Sequence, residues 1–289
     1  MQIVINGLVS GLTTVLLSIS FSVVFMSTRI FHVALGGVYV FVPFVAWACL
    51  KVGLGWVLAI AISLLAGIVL SLACELLNHR WLEARQSGSG AHTISSLGIY
   101  LILGQLVALI WGNEPKVLRE GLDQIFQIGI GTLARSQMIA AGVSVLVVSL
   151  FYWLLYSSNL GLQFRAVSGN PKEFALCGYS VNRIRLIAFG LSGLLCAIAS
   201  LLFAYDVGFD PNSGLITALL AIVAFVIGGQ NSFFGALIGG ILLGLLRSMT
   251  IWFIGASWQD TITFLVLAIF LFVRPQGILG KPSRLEAEV

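Results

Sequence analysis

Long stretches of this chain carry no Asp, Glu, Lys or Arg. They run from Met1 to Thr28, Ile30 to Leu50, Val52 to Cys74, Gln86 to Asn113, Ser136 to Phe164, Leu186 to Tyr205 and Pro211 to Leu246. A helix crossing the hydrocarbon of a bilayer needs about 20 mostly apolar residues, and most of these stretches reach that length. Only 9% of the residues are charged and 59% are hydrophobic, whereas a soluble domain carries roughly a quarter charged residues. That leaves too little polar surface to cover a water-soluble globule of 289 residues. The apolar runs are continuous, as in Leu58–Leu72, and lack the alternation of a membrane barrel strand. The fold class expected is all-α: a polytopic transmembrane protein of eight or nine helices in contact with membrane lipid.

The runs place helices at 7–28, 32–52, 54–77, 93–112, 137–157, 184–205, 213–229, 235–254 and 258–274. Gly228–Gly229 and Gly239–Gly240 interrupt the pattern near the end. Residues 213–254 therefore read either as two full spans or as one broken helix, because Gly-interrupted segments in transporters can be half-helices. Loop charge sets the expected orientation. Arg80 and Arg85 fall in the 78–92 loop, Arg165, Lys172, Arg183 and Arg185 in the 158–185 loop, and Arg274, Lys281 and Arg284 in the tail. Nine helices put all three on one side, with Asp206, Asp210 and Asp260 opposite. The N-terminus is expected outside and the C-terminus inside; Arg29 agrees and Lys51 does not. No basic residue precedes Arg29, so the first helix lacks the positive start of a secretory signal and is expected to be retained. The whole chain, 1–289, reads as one transmembrane domain with no close internal repeat.

Enzyme signatures are missing. There is no GxxxxGK[ST] loop, HExxH or GxSxG, and no paired carboxylates stand in the spans. No catalytic residue, metal site or cofactor is expected. Cys49, Cys74, Cys177 and Cys196 form no CxxC pair and read as packing residues. His79 and His92 fall at predicted helix ends and read as solvated or interfacial. The net charge of +4 is accounted for by loop topology, with no nucleic-acid partner implied.

The most informative polar stretch is Asn159–Arg185, NLGLQFRAVSGNPKEFALCGYSVNRIR. Asn170 can cap a helix, Pro171 suits its first position, and Glu173 stands where a side chain can reach back to the cap. Gly178 can end that helix in a left-handed turn. The result is a helix of about two turns at the membrane face. Its apolar Phe174, Ala175 and Leu176 need either lipid or a docking partner. Gly235-Ala-Leu-Ile-Gly239 and Gly240-Ile-Leu-Leu-Gly244 are GxxxG pairs, which allow close helix approach in lipid within a chain or between chains.

These residues, taken in order, resemble a family. Asn6-Gly7-Leu8-Val9-Ser10-Gly11 is similar to its opening N-G-x-x-x-G, and His92–Gln105 continues the likeness. Gly161–Gly178 matches its cytoplasmic loop, G-x-x-x-R-A before a short helix and Gly. Ile227-Gly228-Gly229-Gln230-Asn231-Ser232-Phe233-Phe234-Gly235-Ala236, then Ile238-Gly239-Gly240, resembles G-G-x-G-S-x-x-G-A-x-x-G-G. Arg274-Pro275-Gln276-Gly277-Ile278-Leu279-Gly280 is close to R-P-x-G-[LI]-x-G. The chain resembles the LivH-type permease of bacterial branched-chain amino acid ATP-binding-cassette (ABC) importers.

The resemblance implies a multi-pass subunit of the bacterial cytoplasmic (inner) membrane forming the path for a small polar solute such as an amino acid. It implies a second permease subunit, homologous or identical, two cytoplasmic ATPase subunits, and a periplasmic or extracellular substrate-binding protein. ATPase coupling would fall to Gly161, Arg165, Asn170, Pro171, Lys172, Glu173, Phe174 and Gly178. The substrate path would involve His32, Gly228, Gly229, Gln230 and Arg247. Arg247 reads either as a path residue drawing a substrate carboxylate or as a paired or interfacial arginine. The sequence departs from the family's N-F-A-H-G-E after the first helix: His32 takes the Asn position, and Leu35 and Gly37 replace His and Glu. The family also handles urea, short amides and related compounds. A self-sufficient secondary transporter or facilitator for such a solute is the alternative, although an ion-coupled carrier usually needs intramembrane acids. Glu75 is the only carboxylate near a span interior.

Overall fold

The computed structural model describes residues 2–119, 121, 123–128, 131–230, 232–274 and 276–280. Asn231, Pro275, Lys281 and Arg284 of the motifs and tail above lie outside the described residues. The helices are α1 (Gln2–Thr28), α2 (Leu35–Lys51), α3 (Trp56–Ala73), α4 (Arg80–Ala84), α5 (Ser89–Trp111), α6 (Arg135–Ser157), α7 (Asn159–Gly169), α8 (Pro171–Leu176), α9 (Val181–Asp206), α10 (Gly214–Gly228), α11 (Phe233–Phe253) and α12 (Gln259–Val273). A π-helical turn, Cys74–His79, joins α3 to α4 in one continuous rod. Among the described residues seven rods are long and apolar enough to cross a membrane, and α2 and α10 are shorter apolar helices. The chain is a multi-pass helical membrane protein.

Several boundaries differ from expectation. The helix expected at 54–77 runs on to Ala84, and the next starts at Ser89, so the 78–92 loop shrinks to a few residues. An eleven-residue helix, α7, precedes the expected short one. Between α5 and α6, β1 (Ile125–Ile128) and β2 (Gly131–Ala134) pair antiparallel, Ile125 opposite Ala134. Residues 213–254 are not one interrupted rod. Gly228 packs on Gly235 and Gly239 on Ala224, so α10 and α11 lie antiparallel, side by side.

Contacts sort the connections into two ends. Arg29 donates to the Ser168 carbonyl at 2.9 Å, Tyr152 to the Phe233 carbonyl at 2.7 Å, and the Ile278 and Leu279 amides to Ile227 and Gly228. That end holds α7, α8, the α10–α11 turn and residues 276–280. At the other end Gln2 bonds Thr132, Lys116 pairs with Phe209, and Trp56 stacks edge-on against Tyr205. The described basic residues of the three loops gather at the α7–α8 end.

The core is α1, whose residues from Val15 to Ser27 are buried on every face. Small residues make this possible. Ser20 Oγ donates to the Ser192 carbonyl of α9 at 2.8 Å.

The packing repeats itself in opposite order. Gly67 of α3 meets Gly193 of α9, and Ser71 Oγ donates to the Phe189 carbonyl of α9. Gly244 of α11 likewise meets Gly11 of α1, and Ser248 Oγ donates to the Ile3 carbonyl of α1. Between these copies stand the two short helices. A Cβ on Gly36 would lie 2.5 Å from the Gly214 carbonyl oxygen, and one on Gly214 2.5 Å from that of Gly36. Neither short helix begins at an end of the bundle. The Val33 amide bonds Ser96 Oγ at 2.9 Å, and Gly104 lies against Pro211; these are about two and four turns into α5. Helices α1–α3 and α9–α11 thus form an inverted repeat whose shorter members, α2 and α10, meet by their N-terminal turns inside the bundle. No close repeat is visible in the sequence because the shared contacts ask only for small residues at a few positions.

Candidate functional site

At the α7–α8 end the chain folds back on itself. Ser158 caps α7 by accepting from the Gly161 amide at 3.1 Å. Gly161 lies directly on the Leu155 backbone, where any Cβ would collide; only glycine permits this reversal after α6. Arg165 is half-buried with its guanidinium 5.1 Å from the Tyr156 ring centre. The second helix begins as its residues dictate. Asn170 Oδ1 accepts from the Lys172 and Glu173 amides at 3.1 and 3.4 Å, and Pro171 is the first helical residue. A return bond from the Glu173 carboxylate is not among the described hydrogen bonds. Gly178 ends the turn with φ +84°.

Phe174 is buried and stacks on Tyr179, ring centres 5.1 Å apart, whereas Leu176 is 87% exposed. One apolar residue therefore anchors α8 and another projects from it. Lys172 and Glu173 are exposed beside it. The structure thus collects Gly161, Arg165, Asn170, Pro171, Lys172, Glu173, Phe174 and Gly178 into one surface element. Gly178→Ala would place its methyl in open space, so its expected cost is the left-handed backbone alone, about 1 kcal/mol. A thermal melt in detergent should show a small downward shift with insertion intact.

The other expected residues are not brought together. Gly228 is packed on Gly235, and Gly229, with φ +120°, on Gly277 and Gly280; Gln230 follows in the same turn. Arg247 stands near the far end of α11 and donates to Asp260 of α12 at 2.7 Å. His32 lies in the α1–α2 link, 1% exposed.

His32 belongs to a buried polar network that sequence reasoning missed. His79 Nε2 is 3.3 Å from His32 Nδ1, and His79 Nδ1 is 3.2 Å from His92 Nδ1. The sequence places His79 and His92 as solvated or interfacial; they are buried at 0% and 5% exposure. The correction follows from the helical extension through 78–84, which carries His79 inward against Phe189. Beside this chain Arg185 of α9 holds Glu75 of the π-helical turn in a two-pronged ion pair, Nε–Oε1 2.9 Å and Nη2–Oε2 3.3 Å. Its remaining prong reaches Glu83 of α4. The side chains of Arg185 and Glu75 are 5% and 4% exposed; that of Glu83 is 53% exposed. The sequence signal for this network is Glu75 itself, a lone carboxylate at the end of an apolar run.

The chain's own clefts are small or open. A polar cleft of about 80 Å³ is lined by Asn6, Ser10, Thr13, Gln137 and Asp206, with apolar neighbours. A shallow apolar groove runs along one face of α5, between Leu101, Gln105 and Leu109. Pockets that enclose a small organic solute measure about 300 Å³ or more and are walled on several sides. Neither cleft is such a pocket.

A family model described as "Branched-chain amino acid transport system / permease component" matches residues 3–273. The chain is 26% identical over 302 aligned residues to the high-affinity branched-chain amino acid transport system permease protein LivH of Escherichia coli (strain K12), covering 98% of this chain and 96% of that protein. Its identity to the corresponding permease protein BraD of Pseudomonas aeruginosa is 27%, with the same coverage. The autoinducer 2 import system permease protein LsrC of Klebsiella pneumoniae is 32% identical across 61% of this chain and 52% of its own length. No solved structure matches.

Proposed function

This chain belongs to the branched-chain amino acid transport system / permease component family, and from that membership we propose that it is a permease subunit of an ABC importer of the bacterial cytoplasmic membrane, moving branched-chain or other small neutral amino acids. The observation that carries the coupling part of the reading is α8: a capped six-residue helix anchored by Phe174, with Leu176 standing free. A soluble ATPase supplying the power stroke needs such a handle. The basic residues gathered at that end support a cytoplasmic side there by the positive-inside rule, with the N-terminus outside and the C-terminus inside. Among the described residues the polar cleft is too small for such a solute and the groove on α5 is open on one side, which supports a path built between two permease subunits, with a binding protein delivering solute from outside. Within this reading His32, Gln230 and Arg247 are the polar residues available to the path, Arg247 acting through its ion pair with Asp260.

The test is reconstitution. The chain, co-expressed with a candidate ABC ATPase and amino-acid-binding protein from the same genome, should co-purify with the ATPase and take up radiolabelled leucine in proteoliposomes only with ATP. Uptake by the purified chain alone would replace the reading with a self-sufficient carrier. Glu173→Ala or Gly178→Pro should weaken ATPase retention on a column while leaving membrane insertion unchanged.

A further inference from the structure

We propose, resting on the importer reading above, that Arg185, Glu75 and Glu83 are positioning residues that transmit movement of α7 and α8 into the α3–α4 rod. The inverted repeat supplies an internal control. The Gly67–Gly193 contact of α3 and α9 recurs as the Gly244–Gly11 contact of α11 and α1. Each copy adds a serine-to-carbonyl bond. The charges do not recur. Counting the same number of residues from the aligned glycines, Glu75 corresponds to Trp252 and Arg185 to Ile3. Close packing of this helix pair therefore works without an ion pair.

Burying one is expensive in a membrane domain, and apolar partners of similar volume would hold the helices at least as well. The ion pair is found only in the copy that adjoins α8. Arg185 sits in the second turn of α9, directly after the Gly178 turn and the Ser180 cap. Its fork grips the α3–α4 rod at two places, Glu75 and Glu83. Glu75 stands in the π-helical turn and Glu83 in α4 just beyond it; such a turn is a loosened stretch of helix of the kind found at functional sites. From the same turn His79 reaches His32 and His92, tying the rod to the α1–α2 link and to α5. A displacement of α8 toward or away from the bundle would thus pull the rod end through Arg185 and carry the start of the short helix α2 with it.

The experiment uses the complete complex in proteoliposomes and reads three quantities: ATPase retention, ATP hydrolysis, and leucine molecules imported per ATP hydrolysed. Wild-type uptake must first depend on ATP; if it does not, the importer reading fails, and the network is not what failed. The Glu75→Leu/Arg185→Met double variant removes both buried charges and should assemble. Hydrolysis should stay within about twofold of wild type and leucine per ATP fall about tenfold. Glu83→Gln, at a half-exposed position, should assemble normally and lower leucine per ATP about threefold. Wild-type stoichiometry in either variant overturns the proposal. So does failure of the double variant to assemble, because the pair would then be structural.

Discussion

Gly244→Leu is expected to leave little folded protein in the membrane. Gly244 lies on the backbone of α1, against Gly11 and the Gly7 carbonyl, with no room for a Cβ. In lipid the helices are held by close contact and not by exclusion from water, so a side chain that separates backbones removes the attraction along with the space. Flexible neighbours cannot absorb the clash, because the groups touched are main chain. Overpacking a well-filled core costs about 1–3 kcal/mol and occasionally more, and here the upper end or beyond applies. Against a total stability of about 5–15 kcal/mol, such a loss should appear as aggregated material on size-exclusion chromatography and a collapsed thermal transition. Gly142→Leu is the control, because Gly142 on α6 is exposed with nothing within 4 Å. It should elute and melt like wild type. Equal behaviour of the two variants would remove the α1–α11 contact from its place at the centre of the fold.

That contact illustrates what the sequence reveals and what it hides. The apolar runs announce the helices because spanning lipid is a length requirement written in consecutive residues. The α8 cap is equally legible: Asn170, Pro171 and Gly178 each satisfy a local backbone need, and the structure uses all of them as expected. Depth is another matter. Hydropathy cannot say that α2 and α10 start inside the bundle, because an apolar residue there reads the same as one at its rim. The β1–β2 ribbon depends on a tertiary pairing across a short polar loop. The Arg185–Glu75 pair joins residues 110 positions apart. Arg185 looks like one more loop arginine until α9 is seen to begin at Val181 and carry it inward. The burial of His79 and His92 is hidden for the same reason, since they meet His32 only when the α3 rod continues through the π-helical turn into α4.

Leu176→Glu is expected to do the reverse of Gly244→Leu, ending transport while sparing the fold. Leu176 is 87% exposed at the end of α8. A carboxylate there loses no buried contact, and surface substitutions of this kind usually change stability by no more than about 0.5 kcal/mol. The anchor Phe174 and the Asn170 cap are untouched. Docking of an ATPase onto α8 is a different matter, because a projecting apolar side chain is the kind of group that fills a pocket at the centre of an interface. Burying an unpaired carboxylate in its place costs several kcal/mol. Such central contacts are worth about 2 kcal/mol or more, so affinity should fall at least about thirtyfold. The melting temperature of the isolated chain should match wild type while ATPase no longer co-purifies and ATP-driven leucine uptake disappears. Leu176→Met, close in volume and still apolar, should retain both. If Leu176→Glu instead keeps full ATPase retention and uptake, α8 is an interfacial helix resting on lipid, and the motor must grip the chain elsewhere.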